Sequence, residues 1–227
     1  MSVAAGVDLA RERLRGRATS VALGLALAFE LGVALLERAR GASGAADRAL
    51  SGGTFGIALP LVCYFLVARA CGAASLREAL WPLARHGLDR RTSTLGLALP
   101  PALLSAVFAS VSGVLVVLIT RGPSDARWLA DAWASAWIGA VASAAYVAAF
   151  VGASALGRRG RGRAWLLAAD FLLGAGDSFL AFPWPKGHVR NLLGGNAVLE
   201  LTQMGALGAL VAIGVVLLGL GTLRAQR

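Results

Sequence analysis

The chain has 227 residues, 57% of them apolar and only 15% charged, with a mean hydropathy of +0.70. A water-soluble domain carries about 25% charged residues, so this sequence lacks the polar shell of a soluble fold and reads as an integral membrane protein. Its formal charge of +10, from 22 Lys+Arg against 12 Asp+Glu, is concentrated at the ends of apolar runs, the pattern of membrane topology signals and not of a nucleic-acid interface.

Residues 1–18 precede the first apolar run. Val3, Val7, Ala10 and Leu14 recur at helical spacing and line one modest face, with Asp8, Glu12, Arg13 and Arg15 away from it and Arg11 and Arg17 on its flanks. This predicts an amphipathic helix lying in the inner membrane interface. The alternative is a frayed basic tail, since short helices are marginal without packing. The following run is longer than the apolar core of a signal peptide, so no cleaved leader is expected.

Six stretches are apolar enough for a membrane-spanning helix of about 20 residues: 19–36, 54–72, 94–120, 133–156, 164–182 and 197–221. Their apolar residues are continuous, which argues against strands. The expected fold is therefore all-α, with residues 19–227 forming one six-helix transmembrane domain. Pro100-Pro101 should kink or break the third span. Gly24, Ala28 and Gly32 on the first, and Gly139 with Ser143 on the fourth, offer faces for close helix packing. Cys63 and Cys71 are eight apart, about 12 Å along a helix. That is too far for a disulfide, and both read as buried small residues.

The polar loop 73–93 carries the strongest local signal. Ser75-Leu76-Arg77-Glu78 is a capping box that starts a helix at Leu76. Leu76, Leu80 and Leu83 give it an apolar side and Trp81 a large adhesive surface. Pro82 should bend it, and Gly87 should end it before Asp89-Arg90-Arg91. Held at the membrane surface over about 75–87, it has the shape of a docking element; the alternative is a helix that packs under its own bundle.

With the N-terminus inside, fifteen basic residues fall on the cytoplasmic side and seven (Arg38, Arg40, Arg48, Arg121, Arg127, Lys186 and Arg190) outside. This favours both termini in the cytoplasm. Set against Asp8, Glu12, Glu78 and Asp89, the inner side carries +11, suited to anionic membrane lipids or an acidic partner surface. Trp128, Trp133, Trp137 and Trp184 mark the outer interface and Trp165 the inner one.

Four carboxylates fall within the expected spans: Glu30, Asp170, Asp177 and Glu200. Each costs about 2.5–3.5 kcal/mol at the bilayer centre on insertion scales, so each should face the bundle interior, water or a partner. They are read either as an ion or substrate pathway or as ion pairs that fix an outer re-entrant loop, with Lys186, His188 and Arg190 as partners for Asp177 and Glu200. The second reading is favoured because the basic residues lie close in sequence. Asp170 has no such neighbour at its depth and is the best single functional candidate. His86 and His188 fall in loops on opposite sides, so no metal site is expected.

Gly41-Ala42-Ser43-Gly44 resembles the serine motif of rhomboid proteases, with His188 as a base. It stands in an outer loop before the second span, however, and such a nucleophile belongs at the buried start of a later one. No GxxxxGK[ST] occurs, so the chain is not expected to hold ATP itself.

The layout as a whole resembles the permease subunits of ATP-binding-cassette exporters of the drug, polysaccharide and lipid class. Residues 1–18 look like the elbow helix that precedes six spans in that family. Ser75 to Leu95 look like its coupling helix, with Glu78, Leu83, Gly87, Arg90, Arg91 and Leu95 in matching places. Gly157 to Arg163 match a basic inner loop. Pro183-Trp184-Pro185 through Val189, Arg190, Leu192, Leu193 and Gly194 look like the re-entrant segment, about 183–195, before the last span. The charged Asp170 and Asp177 on span five and the short outer loops depart from the family pattern. The resemblance implies a bacterial cytoplasmic-membrane protein with no catalytic site of its own. A separate ATPase subunit with ATP and Mg would dock on Leu76, Glu78, Leu80, Trp81, Leu83, Arg90 and Arg91, and a second permease chain would complete the pathway. The competing expectations are an ion- or proton-coupled protein that uses the intramembrane carboxylates, and a structural membrane anchor.

Overall fold

The computed structural model describes residues 2–41, 44–72 and 74–226. Ala42 and Ser43 of the serine tetrapeptide, Ala73 at the head of the polar loop, and Arg227 from the arginine count lie outside them. Among the described residues the chain is helical without strands. It is an all-α membrane protein with five helices long and apolar enough to cross a bilayer: Arg17–Ala39, Ala45–Cys71, Arg90–Arg121, Trp128–Ala153 and Gln203–Gln226.

The chain opens with α1 (Ser2–Leu14). Its docked face is Gly6, Ala10 and Leu14, all buried, whereas Val3 of the expected stripe is 42% exposed. The reason is a backbone contact with the start of α7 (Arg90–Arg121). A Cβ on Gly6 would run into the Ser93 carbonyl, and one on Gly96 into that of Val3. The helix is thus fixed by missing side chains more than by its valines. Gly16, at φ 153, turns the chain into α2 (Arg17–Ala39), in a region of backbone space that excludes other residues.

The second spanning helix begins nine residues before the expected 54. It comprises α3 (Ala45–Arg48), a π-helical stretch (Ala49–Ala58) and α4 (Leu59–Cys71). Gly53 lets its wide turn approach α2, where a Cβ would come within 2.9 Å of Val33 Cγ1. Two short helices, α5 (Leu76–Ala79) and α6 (Trp81–Arg85), then lead into α7. Pro100 and Pro101 do not break α7, which runs through both. Neighbouring helices tolerate such prolines in a membrane by holding the flanking turns. Here α1 packs before them and α8 (Trp128–Ala153) after them.

Lipid tails are as apolar as leucine, so close packing and not water exclusion must join the spans. The central helix is α8, which carries the fully buried Tyr146 and Phe150. Phe150 meets Tyr64 of α4 edge-on, with ring centroids 5.8 Å apart. On its other side α8 meets α11 (Gln203–Gln226). Gly214 stands 3.1 Å, at its would-be Cβ, from Ala145 Cα, and Gly221 presses on Gly152. Contacts that advance together along both chains make α8 and α11 parallel.

The chain therefore has to travel the length of the bundle between them, and it does so without a single long helix. The expected fifth span, 164–182, is α9 (Gly162–Leu173) followed by irregular chain. Twelve residues reach about 18 Å, short of the ~30 Å hydrocarbon core. Where Gly174 follows, a Cβ would sit 3.0 Å from Lys186 Cβ, because α10 (Pro185–Leu192) folds back against this turn. Pro183 and Pro185 cannot extend a helix from upstream. The last span likewise begins at Gln203 and not at 197, after a short 3₁₀ turn at Val198–Glu200.

Candidate functional site

One end of the bundle gathers the arginines and the short helices. Arg13 Nη1 donates to the Ala70 carbonyl (2.7 Å), Arg163 Nη2 to that of Gly72 (2.8 Å) and Arg90 Nη1 to that of Ala225 (3.0 Å). Guanidinium groups at helix C-termini satisfy carbonyls that the helix itself leaves unpaired. Position and sign mark all three as topology signals, and Arg90 also as an expected docking residue, but nothing in the sequence marks them as donors to these carbonyls.

On this end stands the element expected to dock a partner. The capping box forms. The Glu78 amide donates to Ser75 Oγ (3.4 Å), while Glu78 Oε2 accepts from the Ser75 amide (2.8 Å) and hydroxyl (2.9 Å). The Ser75 amide, followed by its hydroxyl, holds the Glu78 carboxyl below its ordinary range. Leu76 and Leu80 are fully buried, and the Leu76 amide donates to the Ser154 carbonyl at the end of α8 (3.0 Å). Leu83 is partly buried against the same core. The chain bends at Leu80, before Trp81-Pro82, so that Trp81 projects outward, 56% exposed, with the Arg85 guanidinium 5.6 Å from its ring centroid.

Gly87, at φ 74, ends α6, and Asp89 caps α7 by accepting from the Thr92 amide at 2.9 Å. Arg90 and Arg91 thus open α7. Arg90 is committed to Ala225, and Arg91 is exposed. The outward face of the expected coupling element is therefore Arg77, Glu78, Trp81, Arg85 and Arg91, with Leu76 and Leu80 as its root.

The four carboxyls divide. Asp170 on α9 is fully buried. It accepts from the Tyr146 hydroxyl of α8 (2.8 Å) and from the Lys186 amide of α10 (2.9 Å). Its missing basic neighbour is replaced by a tyrosine and a helix N-terminus, which is the work of a structural clamp. Asp177 lies in irregular chain and Glu200 at the end of the Val198–Glu200 3₁₀ turn, and both are exposed. The basic residues expected to pair with them bind elsewhere. Arg190 donates to the carbonyls of Ala175 and Gly176, Lys186 stands 4.7 Å over the Phe171 ring, and His188 Nε2 is 2.7 Å from the Phe182 carbonyl. Asp177 contributes its backbone carbonyl, which accepts from Leu199. In the re-entrant segment Pro185 starts α10 and is buried, as is His188, whereas Pro183 is exposed.

Glu30 is different. It is 1% exposed on α2, and neither carboxyl oxygen meets a donor at hydrogen-bonding geometry, although the Ser112 hydroxyl of α7 approaches it. A buried carboxyl without partners is costly in an apolar medium.

No family model, curated protein or solved structure matches this chain. The geometry alone therefore carries the functional reading. Ion pairs that sequence reasoning missed tie the opposite end. Glu37 binds Arg40 (2.6 Å) and Arg48 (2.7 Å), and Arg121 binds Asp125 (3.3 Å) and Asp131 (2.5 Å). Opposite charges 3 to 11 residues apart, between one apolar run and the next, were the available signal.

Proposed function

We propose that this chain is the membrane subunit of an ATP-driven exporter of the ATP-binding-cassette class, with six crossings, both termini cytoplasmic, and its place in a bacterial inner membrane. In this reading the fifth crossing is made by α9 and the irregular chain beyond it. The observation that carries the proposal is the α5–α6 element, rooted in the bundle by Leu76 and Leu80 and presenting Trp81 and Arg85 outward. A rigid root with an exposed aromatic and a cation suits a lever that an ATPase subunit grips, since such residues dominate interface energies. ATP and Mg belong to that partner, and a second permease chain completes the pathway. Nucleotide-dependent closure of the ATPases then changes access through its differential affinity for two states.

Replacing Trp81 and Arg85 with alanine is expected to leave insertion and the unfolding midpoint unchanged. It should lower the ATPase retained on the chain about tenfold, the equivalent of about 1.4 kcal/mol at an interface. Equal retention contradicts the assignment.

A second reading, coupling to an ion or proton gradient, is favoured by Glu30 alone. Glu30→Gln is nearly isosteric, so it spares an ATP-driven cycle and abolishes a gradient-driven one. Substrate flux in vesicles energised by ATP or by an imposed pH gradient separates the two.

A further inference from the structure

A groove of about 530 Å³ runs along the outside of the bundle between α2 and the second spanning helix. Ala22, Ala26 and Phe29 form one wall, and Ile57, Leu61 and Phe65 the other. Phe29 and Leu61 remain 43% and 45% exposed, so the groove faces outward, where a bilayer supplies acyl chains.

Its end near α1 is chemically different. Thr19, one turn before Leu23 on the same face of α2, is 6% exposed, and its hydroxyl has no hydrogen-bond partner. Arg69, one turn beyond Phe65 on α4, donates Nη2 to the Arg13 carbonyl (3.0 Å) and keeps a buried, unpartnered Nε. Gly16 caps α2 without a side-chain bond, and a Cβ there would lie 3.7 Å from Arg69 Nη2. The guanidinium thus stands beside the first turn of α2, where amides unpaired within the helix favour an anion. Arg15 lines a hollow with Arg69; Glu12 and Glu78 also border it, with the Glu78 carboxylate turned onto Ser75. From Arg17 to Phe29 is about 18 Å of helix, close to the ~15 Å depth of one leaflet's hydrocarbon.

We propose that this groove holds one anionic phospholipid, its acyl chain along Ala26 and Phe65 and its phosphate at the first turn of α2 between Arg17, Thr19 and Arg69. The apolar walls take any acyl chain. The preference for an anion comes from the arginines and the helix end, so headgroup and chain contribute separately.

Native mass spectrometry of the full chain in a nonionic detergent tests this, with phosphatidylglycerol and phosphatidylcholine of identical chains and with the soluble headgroup glycerophosphoglycerol. Phosphatidylglycerol is expected to stay bound at about tenfold lower concentration than phosphatidylcholine. The soluble headgroup is expected not to bind. Arg69→Gln should remove the preference, and Ala26→Phe should remove both lipids. Arg15→Gln with Arg17→Gln, at exposed positions, serves if loss of the Arg69 bond to Arg13 prevents folding, and it too should erase the preference. Equal retention of the two lipids overturns the proposal, as does a preference that survives these charge removals. So does glycerophosphoglycerol binding as tightly as the lipid, which would make the site one for a soluble phosphate. Ala26→Phe altering self-association while leaving lipid bound also overturns it, since the groove would then be a surface between copies.

Discussion

Asp170 shows how a buried carboxyl is settled by groups that sequence spacing hides. Its partners are a hydroxyl 24 residues away and a backbone amide 16 residues away. A search for basic side chains on the same helix finds neither. Removing the carboxyl leaves two buried donors unpaired, at about 1–3 kcal/mol each. Asp170→Ala should therefore lower unfolding stability by about 3 kcal/mol and Tyr146→Phe by about 1 kcal/mol, while the double variant costs little more than Asp170→Ala alone. Unfolding of the three variants in micelles measures this, and additive losses would contradict the clamp. At Ser75 and Glu78, by contrast, the whole motif lies within four residues, and it was legible.

At the scale of elements, five of the six expected spans are long helices, and of the two small-residue faces read from the sequence one packs and one does not. The stripe of Gly24, Ala28 and Gly32 faces outward, and nothing lies within 4 Å of a Cβ at Gly24 or Gly32. The expected face at Gly139 and Ser143 does pack closely, both residues being buried and a Cβ on Gly139 falling 3.1 Å from Ala109 Cβ. Further backbone contacts fall at Gly6 with Gly96 and at Gly152 with Gly221, pairs far apart in sequence and indistinguishable by composition among 29 glycines. Gly152→Leu should cost upwards of about 3 kcal/mol by prising α11 from α8, whereas Gly24→Leu should stay within about 0.5 kcal/mol of the parent. Comparable losses in the two variants, read from their unfolding midpoints, would contradict this packing. The expected fifth span, 164–182, is not a single long helix. Residues 164–182 are apolar on average but hold Asp170 and the run Gly174-Ala175-Gly176-Asp177-Ser178, and the contact of Gly174 with Lys186 turns the chain there. The second span starts before the expected 54 because Asp47, Arg48, Ser51, Gly52 and Gly53 lower the hydropathy of its first turns, where Leu50 is the one large apolar residue.

Across the whole molecule, the sequence places its arginines at the ends of apolar runs, a pattern of sign and position alone. The structure adds that a few of these arginines turn inward, while most stay exposed. Arg13, Arg90 and Arg163 bind carbonyls at helix ends and so join α1, α4, α7, α9 and α11 at one end of the bundle. The α5–α6 element is an anchored platform, tied to the end of α8 by the bond from Leu76 to Ser154 and to α1 by Arg13 Nη2 on the Ala79 carbonyl (3.4 Å). Such a platform is what coupling to an external ATPase requires. The most direct measurement is purification of the chain from its native membranes in a mild detergent, with mass spectrometry of everything retained. The account predicts a P-loop ATPase subunit at stoichiometric yield; a stable assembly that contains no ATPase would contradict it.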